Sequence, residues 1–247
     1  MKVQPITFLL IFFLFQAKTG IPQKADTLRS DWSISFCGNC NKTQEKRQQV
    51  CAYIAPVILV TYGIMAIGPN PHIYDRFQAK ADVQKAFPGF YSPADNYLQF
   101  APAAAVFGLS AGGVKGKHTL GEQLILYAGS MLVSEGIATG LKYSTHILRP
   151  DNSAYNSFPS GHTTSAFTGA ELLNQEYGSS SVLYPILGYG AASATGMMRL
   201  MNNRHWLSDV LVGAGIGMIS TKLVYTVYPK LKKRLCKNQK ETGTSMM

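Results

Sequence analysis

The 247-residue chain alternates apolar runs with short polar breaks, and the length of each run limits what it can build. Met1–Gly20 carries Lys2, an apolar run from Ile6 to Phe15, and then polar residues. That run has the length of a leader peptide and is short for a spanning helix, although an uncleaved anchor fits the same pattern. Residues 21–49 are polar, lack a period and end in the charged cluster Lys42, Glu45, Lys46, Arg47. Cys51–Gly68 is apolar and long enough to cross a bilayer. Pro69–Asn96 is rich in Pro, Gly and Asp, which predicts a loop outside any membrane with a short helix near Ala79–Ala86. Tyr97–Val114 is apolar and rich in small residues, and Lys115–His118 interrupts the pattern. Leu120–Leu141 is a helical pattern carrying Glu122 and Glu135, with Gly136 and Gly140 spaced for close helix packing. Further helices are predicted from Ser160 to Gln175, Val182 to Met198 and Leu207 to Tyr228, the last with Gly213 and Gly217 at the same spacing.

These runs predict an all-α fold, a membrane helix bundle of about six core helices. The expected division is a leader or anchor over 1–20, a polar segment over 21–49, the bundle over 50–229 and a basic tail over 230–247. Composition agrees: charged residues are 15% and hydrophobic residues 46%, against a usual charged share of about a quarter. The net charge of +10 suits either nucleic acid or anionic lipid. Basic residues that flank apolar segments favour lipid surfaces, and no nucleic-acid partner is expected. Placing the basic tail in the cytoplasm puts Lys115, Lys117 and Lys42–Arg47 on the same side. Residues 142–162 and His205 then lie on the opposite face. A cleaved leader would start Lys42–Arg47 outside, in conflict with that count. Cys37 and Cys40 form a C-x-x-C, with Cys51 and Cys236 elsewhere. No second pair completes a zinc site, so a local disulfide or free thiols is the expectation.

The chemistry concentrates in three places. Lys142 is followed after six residues by Arg149-Pro150; Pro159-Ser160-Gly161-His162 comes next; five residues then separate Arg199 from His205, and three separate His205 from Asp209. Arginine offers a rigid fork of donors that fits phosphate oxygens, and lysine adds a compact charge. A Ser-Gly turn that opens a helix turns N–H groups and the positive helix end toward an anion. One histidine can attack phosphorus while another protonates the leaving oxygen. No carboxylate cluster suggests a metal, and no cofactor is expected.

In these residues the sequence resembles the type 2 phosphatidic acid phosphatase (PAP2) superfamily, over roughly residues 120–227. Met198 departs from that pattern, which has serine before the last arginine, and one hydroxyl donor is thereby lost. The resemblance implies His205 as nucleophile, Asp209 as the acceptor that fixes its tautomer, and His162 as general acid. It also implies Lys142, Arg149, Ser160, Gly161 and Arg199 as phosphate-binding groups, with Pro150 and Pro159 shaping the loop. His72, His118 and His146 lack motif partners and read as structural or surface residues. Glu135 either pairs with a site cation or finds a hydrogen bond in the bundle.

The implied activity is metal-independent removal of phosphate from a membrane lipid at the periplasmic face of a bacterial inner membrane, through a phosphohistidine. Lipid A, undecaprenyl diphosphate and phosphatidylglycerophosphate are the candidate lipids. Lipid A is preferred because Pro69–Asn96 is long enough to frame a bulky sugar head group. A soluble periplasmic acid phosphatase, a vanadate-dependent haloperoxidase and a non-catalytic binder of anionic lipid are the rival readings.

Overall fold

Each apolar run from Cys51 onward becomes helix in the computed structural model, which describes residues 40–69 and 72–243. The helices are α1 (Cys40–Met65), α2 (Arg76–Ala86), α3 (Asp95–Leu98), α4 (Ala101–Ala111), α5 (Leu120–Thr145), α6 (Gly161–Tyr177), α7 (Leu183–Met201) and α8 (Leu207–Gly243). Among the described residues there is no strand. The bundle is made by α1, α4, α5, α6, α7 and α8, and α6 stands at its centre against α4, α5, α7 and α8. The N-terminal apolar run and Cys37 lie outside the described residues, and Cys51 is a free, exposed thiol.

Local chemistry sets the helix ends. Asp75 caps α2 by accepting from the N–H groups of Phe77 and Gln78. Thr119 and Glu122 form a reciprocal capping box at the start of α5. That helix stops where His146 takes a left-handed conformation, φ 47°. The expected single run over 97–114 is broken instead. Pro102 lies in the first turn of α4, where its missing N–H costs nothing, and it has no N–H to give the Leu98 carbonyl that a continuous helix would require. α1 begins at Cys40, inside the stretch read as a separate polar segment, and α8 runs through Pro229 into the basic tail.

α6 is buried on all sides although it is rich in hydroxyls. Thr164, Ser165 and Thr168 each donate to a carbonyl one turn back, at 2.9, 3.1 and 2.9 Å, so that no hydroxyl is stranded. The helix against it carries the glycines that let the backbones meet. A Cβ on Gly213 would stand 2.7 Å from the Ser160 carbonyl oxygen, and one on Gly217 would stand 2.5 Å from that of Thr164. Gly136 and Gly140 differ from expectation. Both are exposed on α5 with no neighbour near their Cβ positions, because a glycine spacing marks a helix face without saying what covers it.

Around α6 the main core gathers Leu59 of α1, Phe167 and Ala170 of α6, and Leu207, Leu211 and Met218 of α8. A polar cluster is buried farther along α6. Glu171 accepts from Lys222 Nζ at 2.6 Å and from the Tyr189 hydroxyl. Glu176 accepts from Tyr225 and lies 2.7 Å from His118 Nδ1. His118 and His146 therefore hold structural positions, as expected. Among the described residues, two helical stretches, Leu120–Thr145 and Leu207–Arg234, are long and apolar enough to cross a membrane.

Candidate active site

The antiparallel run of α5 to α8 brings four helix termini to one end of the bundle: the C-terminal ends of α5 and α7 and the N-terminal ends of α6 and α8. The motif residues occupy those termini and the two loops between them. Three hydrogen bonds tie the loops together. Trp206 Nε1 donates to the Leu148 carbonyl at 2.7 Å, the Ser160 N–H donates to the Asp209 carbonyl at 3.0 Å, and the Ser157 hydroxyl donates to Asp209 Oδ2. α7 ends in a turn with Asn203 left-handed, φ 55°, which swings the chain from Arg199 to His205. Asparagine tolerates that conformation better than most residues.

The result is an open cavity of about 390 Å³. Lys142, Arg149, Gly161, His162, Arg199 and His205 all line it, so six of the eight expected site residues meet there. The other two lie behind the wall. Asp209 is fully buried beneath His205, and Ser160 is fully buried at the N-cap of α6. The Ser160 oxygen accepts from the N–H and the hydroxyl of Thr163, so this side chain caps the helix rather than lining the cavity. Gly161 does line it, beside the positive end of α6. Met198 is not among the lining residues, so a hydroxyl at that position would not line the cavity either.

The charges are unbalanced toward the cations. Arg199 is 8% exposed, and its Nη1 donates to Asp95 Oδ2 at 2.7 Å. Its Nε is buried with no acceptor among the described residues, which leaves one N–H of the fork for an incoming oxygen. Arg149 Nε donates to Asn156 Oδ1 at 2.9 Å. Lys142 Nζ donates to the Pro159 carbonyl, so it is oriented by backbone and not neutralised. Glu135 accepts from Ser165 at 2.9 Å, one of the two roles open to it from the sequence.

The two histidines have different surroundings. His205 is 3% exposed, with Nδ1 3.4 Å from Asp209 Oδ2. That carboxylate also accepts from Trp206 N–H at 3.0 Å and from Ser157, and Ser208 donates to its other oxygen. A carboxylate so held fixes the proton of His205 on Nδ1 and leaves Nε2 with its lone pair. Burial pushes the His205 ring below its usual range, and Asp209 opposes the shift. A neutral ring with that lone pair on Nε2 could act as a nucleophile. His162 is half-buried at the open end of α6, and its Nε2 lies 2.8 Å from Asn96 Oδ1. Burial first, and repulsion from Arg199 second, push it down to about 4. This ring is therefore neutral at pH 7.

The sequence reading missed the wall formed by Tyr91, Ser92, Pro93, Asp95 and Asn96. Asn202, just past α7, clips that wall in place by accepting from Ser92 N–H at 2.9 Å and donating to the Ser92 carbonyl at 2.8 Å. Asp95, 1% exposed, holds Arg199. Arg204 also lines the cavity and pairs with Asp151 at 3.0 Å. None of these residues belongs to the three-part motif. The only signal in the sequence was the length of Pro69–Asn96.

Over 166 residues the chain is 40% identical to a Porphyromonas gingivalis protein named lipid A 1-phosphatase, an alignment that covers 64% of this chain and 37% of that one. The chain thus spans little more than a third of that relative's length. The crystal structure of Aquifex aeolicus LpxE matches with a TM-score of 0.45 and 20% identity, covering 58% of this chain and 92% of that one. Residues 123–233, which carry all three motif parts, match the PAP2 superfamily.

Proposed function

We propose that this protein is a lipid phosphatase that removes a phosphate group through a phosphohistidine formed on His205. One observation carries the reading. A buried, carboxylate-backed histidine opens onto the same cavity as Lys142, Arg149, Arg199 and a second histidine. His205 Nε2 attacks phosphorus while the three cations hold the non-bridging oxygens and the charge that builds on them. As the P–O bond to the lipid breaks, the leaving oxygen takes a proton from His162. Water, giving a proton to His162, then attacks phosphorus; the P–N bond breaks, His205 regains its lone pair and inorganic phosphate leaves.

His162 enters this cycle uncharged. A phosphate monoester has its second ionisation near pH ~6, so a monoanionic substrate brings the needed proton with it. Neutral His162 with a monoanion and protonated His162 with a dianion carry the same net charge and the same number of protons. The bound dianion offsets the repulsion from Arg199 that adds to burial in keeping the ring neutral.

The substrate is placed in the lipid A class, and the P. gingivalis relative named lipid A 1-phosphatase supports that choice. A membrane setting is supported by α5. Leu124, Ile125, Leu132 and Ile137 stand outward on it at 45–77% exposure, a face that water would disfavour and acyl chains would accept. Orientation follows from charge. Lys232 reaches Glu122 at 2.5 Å, which puts the basic end of α8 beside the start of α5, opposite the cavity. A cytoplasmic basic end leaves the cavity on the periplasmic face of the inner membrane. The test is phosphate release from purified lipid A, undecaprenyl diphosphate and phosphatidylglycerophosphate in the presence of a chelator. Release from lipid A well ahead of the others is the expected result. Equal release from all three would remove the substrate assignment, and no release from any would remove the activity.

A further inference from the structure

Among the side chains that face the cavity, Asn96 makes one contact that the motif residues do not explain. It lies in α3, on the wall pinned by Asn202 and Asp95, and its Oδ1 is 2.8 Å from His162 Nε2. Asn202 Nδ2 donates to Ser92, and Asp95 accepts from Arg199 and Asn202, so these hydrogen bonds fix α3 to the end of α7. The amide of Asn96 therefore reaches His162 from an element whose side-chain hydrogen bonds run to the end of α7.

We infer that Asn96 is the positioning residue of the proton-delivering histidine, its side-chain carbonyl holding His162 Nε2–H so that the proton handed to the leaving oxygen is the one on Nδ1. The inference rests on the reading of His162 as general acid. The step balances in this form. The Nδ1–H proton passes to the lipid oxygen as the P–O bond breaks, and the ring ends neutral, with Nε2–H still donated to Asn96. An amide suits this role because its carbonyl accepts one N–H without adding charge. A carboxylate at position 96 would bind the imidazolium more tightly and make its proton harder to give up. The groups facing the His162 ring are Arg199 and Asp95 from the α7 side and α3, Arg149 from the loop before α6, and His205 from the loop before α8.

The test compares Asn96→Ala and Asn96→Asp with wild type and His162→Ala, in the full-length protein, on a lipid phosphate and on an activated aryl phosphate. Inhibition by inorganic phosphate reports whether the cation cradle survives. Asn96→Ala should lower kcat on the lipid by roughly ten- to a hundredfold, at or below the low end of what loss of a general acid costs. Its rate on the aryl ester and its phosphate inhibition should stay within about threefold of wild type. Asn96→Asp should move the basic limb of the kcat/KM profile to higher pH by about one unit. Equal loss on both substrates, weakened phosphate inhibition, or an unshifted profile in Asn96→Asp would each overturn the positioning role. If His162→Ala itself showed no dependence on the leaving group, the general-acid reading would fail and take this inference with it. A leaving-group effect in His162→Ala without one in Asn96→Ala would sink the inference alone.

Discussion

His205→Ala abolishes turnover of every phosphate ester offered, whether the leaving group is a sugar alkoxide or an activated phenolate. The loss expected is at least roughly ten-thousandfold in kcat, because no other side chain in the cavity can replace the attacking nitrogen. Alanine at this position leaves Asp209 with Ser157, Ser208 and the Trp206 N–H as donors, so the buried carboxylate stays solvated by the protein. The fold and the cation cradle should therefore survive, and inorganic phosphate should still bind. The measurement is phosphate release on both substrates beside phosphate binding. An aryl ester turned over at wild-type rate would show that His205 does not attack.

His162→Ala separates the substrates. A lipid alkoxide is a poor leaving group and needs its proton in the transition state, so its turnover should fall by roughly a hundred- to ten-thousandfold. A nitrophenolate leaves unaided, and its turnover should stay within about tenfold of wild type. Removal of the imidazole also frees Asn96 and relieves none of the crowding among the cations, so phosphate binding should not weaken. Equal losses on the two substrates, read from parallel kcat values, would take the general-acid role away from His162.

Much of this was legible in the sequence because helices announce themselves by run length and because the motif residues have fixed spacings. The runs at 120–141, 160–175 and 182–198 lie inside or within a few residues of α5, α6 and α7. The three motif parts meet because each sits at a helix terminus at the same end of the bundle. What escaped was whatever depends on facing rather than spacing. Ser160 could donate a hydroxyl or cap a helix, and only the position of Thr163 decides between them. Gly136 and Gly140 mark a helix face, but no pattern says whether protein or another phase covers it. Asp95 and Asn96 sit in a stretch without period, more than a hundred residues before Arg199 and Asn202 for Asp95. Their role is set by the way Asn202 clips Ser92, which no local rule predicts. The buried pair of Glu171 and Lys222 was hidden for the same reason, since each sits within an apolar or small-residue run.

The central claim is that phosphate passes through His205 before water takes it. The stereochemical course at phosphorus tests this most directly, with a thiophosphate ester made chiral by oxygen isotopes and hydrolysed by the wild-type protein. Two in-line displacements, first by His205 Nε2 and then by water, give net retention of configuration, and retention is the predicted result. Net inversion would mean that water attacks the ester directly, and it would contradict the account.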